Sequence, residues 1–142
     1  MKKEIQELVE YALTTTTNKK VELVIGKVSK KQAKEIEEII GINLEGAERI
    51  IDSYMIRHAL AEHGSPTIEK KRGQIAITLD DFEHVPTVLT SPDNIDSIGK
   101  NKLKQELVRY TKYIGDTYFI VEAIRVSKRG NKMIFTTMYK RK

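Results

Sequence analysis

Ile5, Leu8, Val9, Ala12 and Leu13 recur at the i, i+3, i+4, i+7, i+8 spacing of one helix face and predict a helix over residues 2–13. Thr14 to Thr17 end it, because short hydroxylated side chains compete for backbone hydrogen bonds. Residues 21–28 alternate weakly and fit either a short strand or an extended link. Ser29-Lys30-Lys31-Gln32 has the form of a capping box. The helix it opens turns Ala33, Ile36, Ile39 and Ile40 to one side, and Gly41 suits the left-handed residue beyond its end. A further helix is expected over about 44–63, striped by Ala47, Ile50, Ile51, Tyr54, Met55 and His58 and closed by Gly64 and Pro66. On that phase His58 lies on or beside the core-facing stripe, and His63 falls in the last turn.

From Gln74 the period changes to two, with Ile75 and Ile77 alternating with Ala76 and Thr78. Thr78-Leu79-Asp80-Asp81 reads as the cap of a short helix ending before Pro86. Ser91-Pro92-Asp93-Asn94 then marks a turn. Three strands follow, over about 107–113, 118–126 and 132–139, joined by turns at Gly115-Asp116 and Arg129-Gly130-Asn131. Both faces of the middle strand are apolar: Tyr118, Ile120, Ile124 and Val126 against Phe119, Val121 and Ala123. That strand is therefore central in an antiparallel meander. Helices first and a small antiparallel sheet afterwards make an α+β fold. The chain reads as a single domain over 1–142, mainly helical in 1–66 and mainly sheet in 67–142.

Composition narrows the chemistry. The 142 residues contain no Cys, which excludes disulfides and Cys-ligated zinc. No apolar run approaches the roughly 20 residues of a membrane span. The basic start, Met1-Lys2-Lys3-Glu4, passes into an amphipathic pattern rather than a signal peptide. The net charge of +5 is uneven: residues 1–66 carry −1 and residues 67–142 carry +6. After Ser127 come Lys128, Arg129, Lys132, Lys140, Arg141 and Lys142 without an acid. Such a gradient concentrates a polyanion.

His58 and His63 are the first chemical candidates, since an imidazole with a pKa of roughly 6.5 can act as acid and base near neutral pH. Five residues apart, they point about 140° away from each other on a helix. Without a ligand, His58 reads as a hydrogen-bonded core-edge residue and His63 as a C-terminal cap. His84, near Asp80 and Asp81, leaves a metal site as a weaker alternative. Arg72-Gly73-Gln74 offers a planar cationic fork, close backbone approach and an amide that can orient a phosphate or read a base edge. In the last strand, alternation puts Thr137 and Tyr139 on one face with Phe135, and Thr136 and Lys140 on the other. The hydroxyls of Thr137 and Tyr139 could hold a phosphate, with Lys140 beside them. Glu122 interrupts an apolar face between Ile120 and Ile124. Desolvation there would raise its pKa and equip it as an extra acid or base; the alternative is a pair with a Lys or Arg of a neighbouring strand.

The order His-x4-His-Gly, Arg-Gly-Gln-Ile, Pro86, Ser-Pro-Asp-Asn-Ile, a Tyr-rich strand, a Val-Glu strand and a closing Thr-Met-Tyr-Lys resembles phage-associated nuclease domains of the barnase–EndoU–colicin–RelE-like superfamily. The likeness runs from about residue 24 to residue 140. It implies N-terminal helices packed on an antiparallel sheet of about four strands, and metal-independent RNA cleavage with no cofactor. It places His58, His63, Arg72, Thr137 and Tyr139 at the family's motif positions, with Gln74 and Lys140 beside them; the pattern assigns Glu122 no role. The expected reaction is attack of a ribose 2′-hydroxyl on the adjacent phosphorus, giving a 2′,3′-cyclic phosphate and a 5′-hydroxyl. His58 is expected to be the base and His63 the acid, with Arg72 stabilising the phosphorane. Expected partners are RNA, tRNA among the candidates, and a cognate immunity or antitoxin protein. The expected site of action is the cytoplasm of the producing or of a target cell. The alternative is a phage or toxin module that binds RNA or protein without cleaving.

Overall fold

The computed structural model describes residues 1–15 and 19–142. Its centre is the expected meander of β4 (Glu106–Ile114), β5 (Asp116–Arg125) and β6 (Lys132–Arg141). Three further strands extend it: β1 (Glu22–Lys27), β2 (Glu48–Asp52) and β3 (Asn94–Lys100). The sheet therefore has six strands, in the order β1-β2-β6-β5-β4-β3, rather than about four. All neighbours are antiparallel except β2 and β6, which run parallel, so the sheet is mixed.

The helices are α1 (Lys2–Thr14), α2 (Lys30–Ile40), α3 (Ser53–His63), α4 (Pro66–Lys71) and α5 (Val85–Thr90), with a 3-10 turn over Leu79–His84 before α5. The predicted apolar stripe of α1 is buried at Ile5, Leu8, Val9 and Ala12. Thr14 ends that helix; Thr16 and Thr17 lie outside the described residues. Ser29 caps α2 by accepting from the Gln32 amide, but the Gln32 side chain reaches the Leu89 carbonyl at 2.6 Å instead of returning to the cap. Gly41 closes α2 at φ 86°. The 3-10 turn itself ends at His84, before Pro86, but the helical path does not. It continues into α5, whose first turn tolerates a proline because its amide has no helical partner.

The main correction lies at 44–52. The stripe containing Ile50 and Ile51 belongs to β2, and α3 begins only at Ser53. A short strand buried on both faces presents a continuous apolar run, which periodicity does not separate from a helix segment. Asp52 then caps α3, its carboxylate accepting from the Met55 amide at 2.8 Å. The buried face of α3 is Ser53, Ile56, Ala59 and His63. Asp52→Ala is expected to lower stability by about 0.5–2 kcal/mol, seen as a lower urea midpoint with an unchanged m-value.

One core cluster joins Ile5, Leu8, Ile36, Ile56, Phe82 and Leu89 of the helical side to Tyr110, Ile120, Phe135 and Met138 of the sheet. Phe119, Val121 and Ala123 are buried but face the other way and are not part of it. The helices thus pack on one face of the sheet, and the second face is left to its own side chains. Among the described residues no helix is long and apolar enough to cross a membrane.

Candidate active site

Helix α3 ends where a side chain no longer fits. A Cβ on Gly64 would collide with the Leu60 carbonyl oxygen, so glycine lets the chain turn immediately after His63. Ser65 caps α4, Pro66 occupies its first turn, and the chain reverses at Gly73 with φ 72°. The Gln74 amide donates to Glu69 O (2.8 Å), Ile75 N to Lys140 O (2.8 Å) and Ile77 N to His63 O (2.9 Å). These bonds stitch α4 and residues 74–77 between the end of α3 and the upper half of β6.

That stitching builds a network around His63. Its Nδ1 lies 3.1 Å from Glu69 Oε2, and its Nε2 lies 3.4 Å from Glu62 Oε1. Glu69 is fully buried, and its other oxygen accepts from Arg72 Nη1 at 2.8 Å. The same Arg72 nitrogen donates to the Glu62 carbonyl at 2.8 Å. His58 Nε2 sits 2.6 Å from Glu62 Oε2, one helical turn away. One carboxylate therefore touches both histidines, although their rings diverge around the helix. His58 is exposed, not on the core stripe, because the helix starts at Ser53 and its phase differs from the one the longer stripe implied.

The sheet supplies the opposite wall. A bulge in β6 sets Val121 opposite Thr137 and Glu122 opposite Phe135, leaving Thr136 as the extra residue. This reverses the strand's alternation. Phe135 therefore joins the core, while Thr137 and Tyr139 face the side the helices do not cover; the expected sharing of a face by Phe135, Thr137 and Tyr139 does not hold. The Tyr139 ring lies 5.3 Å from that of His63 and stacks on Phe119 at 4.8 Å and 11°. Arg109 Nη1 donates to the Tyr139 hydroxyl at 3.3 Å, and Arg109 grips Asp96 at 2.8 and 3.2 Å. Asp96 first, and the Tyr139 hydroxyl second, hold the Arg109 guanidinium even more firmly charged than usual. Arg109 and Arg141 both lie over the Phe119 ring, at 5.7 and 5.0 Å. Two buried acceptors of this neighbourhood, Gln74 Oε1 and Thr137 Oγ1, have no hydrogen-bond partner among the described residues.

His63, Arg72 and Tyr139 thus converge, with His58 joined to them through Glu62. Lys140 and Glu122 face the helical side. Lys140 Nζ binds Asp81 at 3.1 Å, and Asp81 also accepts from Tyr118. Burial pushes the Asp81 carboxyl up, but the Tyr118 hydroxyl, the Thr78 amide and Lys140 together hold it below its usual range. His84 packs on Tyr118 at 5.1 Å. Glu122 is fully buried 4.0 Å from Arg49, a partner contributed by β2 rather than by an adjoining strand of the meander. Among the described residues no three His, Asp or Glu side chains form a group able to hold a metal ion.

The family model described as phage-Barnase-EndoU-ColicinE5/D-RelE like nuclease3 matches residues 26–142. The chain belongs to this nuclease family. No curated protein and no solved structure matched. The match takes in α2 through β6 and so includes every residue of the His63–Tyr139 network; α1 and most of β1 precede it.

Several members of this nuclease's network escape a reading of sequence alone. Glu62 had a local signal, since it stands four residues after His58 and next to His63. Glu69 lies on a short helix without an apolar stripe, and its burial gives no sequence sign. Arg109, Asp96 and Phe119 meet Tyr139 only through strand register, which no local motif encodes.

Proposed function

We propose that the chain is an endoribonuclease that cleaves by attack of a ribose 2′-hydroxyl on the adjacent phosphorus, leaving a 2′,3′-cyclic phosphate and a 5′-hydroxyl. The observation that carries this reading is the position of His63. A buried carboxylate anchors its ring beside Tyr139, whose hydroxyl meets Arg109 on the sheet face the helices leave uncovered.

Two protons must move. One leaves the 2′-hydroxyl and one arrives at the departing 5′-oxygen. His63 delivers the second, held in orientation by Glu69 and, through Glu69, by Arg72. The His58–Glu62 pair accepts the first, and Glu62, touching both rings, returns the proton to His63 for the next turnover. Arg109 faces the negative charge that develops on the phosphorane, and stabilising such charge is usually the largest catalytic contribution. Arg72, already engaged with Glu69, acts as a positioning residue. Thr137 and Gln74 lie in the wall of this neighbourhood with acceptors buried from solvent, and half-buried Tyr139 is the aromatic side chain that a base would meet there.

The test compares RNA, the same RNA with one 2′-deoxy nucleotide at its main cleavage site, and the matching DNA, all in EDTA. Cyclic-phosphate ends from RNA, and loss of cutting at the deoxy position, are expected. Cleavage of DNA at a similar rate, or products with 5′-phosphates, would overturn the 2′-hydroxyl mechanism.

A further inference from the structure

The β3–β4 and β5–β6 turns lie at the end of the sheet away from His63. Both are locked by their own side chains. In the first, the Asn101 carboxamide oxygen accepts from the amides of Leu103 and Gln105, each at 3.0 Å, and its nitrogen donates to Gln105 Oε1 at 2.9 Å. Lys104 is held at φ 62°, the one non-glycine with positive φ among the described residues. In the second, Asn131 accepts from the Ser127 amide at 3.2 Å and donates to Asn43 O at 3.1 Å, while Ser127 accepts from the Arg129 amide at 3.2 Å. What these rigid turns present is charge: Lys102 and Lys104 on one, Lys128 and Arg129 on the other, all exposed.

None of these four cations, nor Arg125, forms an ion pair within 4.0 Å among the described residues. Of the nearby acids, Glu106 pairs with Lys100 at 3.7 Å and Glu48 with Lys132 at 3.4 Å, while Glu45 lines the hollow beside Arg129 without pairing with it. A cleft of about 450 Å³ runs from the β3–β4 turn to the end of β5, where the second turn begins, lined by Lys100, Leu103, Lys104, Glu106, Arg125 and Val126 among others. Holding like charges together without counter-ions costs stability unless a polyanion shares the site, and fixing their backbone beforehand lowers the entropy lost on binding. Along β6, Lys132 to Tyr139 spans roughly 20 Å at about 3.3 Å per residue.

We infer that these two turns form a second RNA contact, a basic lip that grips the sugar–phosphate backbone several nucleotides from the scissile bond. The inference rests on the ribonuclease reading for the choice of RNA as the polyanion. Backbone contacts of this kind set affinity and register without reading sequence.

The experiment uses the full chain with Lys102→Gln, Lys104→Gln, Lys128→Gln and Arg129→Gln combined. A stem-loop RNA and a dinucleotide are the substrates. Binding is measured separately with both proteins also carrying His63→Ala, so that the RNA stays intact. KM for the stem-loop is expected to rise about tenfold or more with kcat unchanged, and dinucleotide cleavage to stay the same. The slope of log affinity against log salt should become shallower by about 3, since each lost phosphate contact removes about 0.7–0.9. An unchanged slope and affinity would overturn the lip, whether or not the protein cleaves. A shallower slope with no cleavage by either protein would remove the ribonuclease reading and leave the lip standing. Polyglutamate binding is measured on the same proteins; its loss in the quadruple variant with RNA binding intact would also overturn the inference, assigning the face to an acidic protein.

Discussion

His63→Ala is expected to lower kcat by about 10²–10⁴-fold, the range for loss of a general acid–base group. His58, the other imidazole of the network, is exposed and reaches His63 only through Glu62. Glu62 is adjacent but lacks the ring that spans from Glu69 to Tyr139. The variant also leaves Glu69 buried with Arg72 as its remaining charged partner, so a lower melting temperature is expected alongside the kinetic loss. Two readouts separate chemistry from folding. Added imidazole should restore part of the cleavage by the folded variant, which a merely misfolded protein would not show. Glu69→Gln, which keeps the shape but removes the carboxylate that anchors the ring, should lower kcat by a smaller factor. Full activity in His63→Ala would remove this residue from the mechanism.

The second large effect lies in the core. Arg49 is almost fully buried, its guanidinium donating to the Leu89 carbonyl at 2.8 Å and to Gln32 Oε1, and lying over Tyr110 at 5.3 Å. Arg49→Met is expected to cost about 3–5 kcal/mol, because breaking a buried pair strands its partner. The stranded partner is Glu122. Its burial already outweighs the pull of Arg49 and the Tyr110 hydroxyl and holds its carboxyl above the usual range. Burial, and then Glu122 itself, likewise push the Tyr110 hydroxyl well up.

The sign of the pH dependence follows. Between the ordinary carboxylic pKa and the raised folded value, the unfolded chain has released the Glu122 proton while the native protein still holds it. This group's contribution to stability is full below that window and is lost as pH rises through it. The Arg49→Met penalty should therefore be larger at about pH 8 than at about pH 4, where Glu122 discharges itself by protonation. Urea unfolding at the two pH values measures it, and an equal penalty at both would show that Glu122 does not carry the effect. Glu122→Gln should flatten the wild-type slope.

Much of this fold was legible because local rules and tertiary packing agree. The α1 stripe, the Ser29 and Gly41 ends of α2 and the β4–β5–β6 meander needed no distant information. β2 was hidden because two adjacent isoleucines buried on opposite faces imitate part of a helical stripe, and that error carried His58 onto the wrong side of α3. β3 lacks strong alternation; five of its seven residues are exposed or nearly so at the edge of the sheet. At the site, His63, Arg72 and Tyr139 stood out as residue types, but the carboxylates and Arg109 that organise them are brought in by register, a bulge and a short helix without an apolar stripe. A single extra residue at Thr136 decided which face Thr137 and Tyr139 present.

The strand order carries a consequence for how the protein is made. β6 comes after every other strand in the chain, yet it sits between β2 and β5 and brings Tyr139 to His63. A ribosome delivers the chain in sequence, and domains complete their long-range pairings only once all the pieces are available. A nascent chain can already carry α3, α4 and Arg109 while the two halves of the sheet remain unjoined. The His63–Tyr139 neighbourhood closes only when β6 has emerged; on the ribonuclease proposal, the unfinished polypeptide would therefore pass through translation, surrounded by RNA, in an unarmed state.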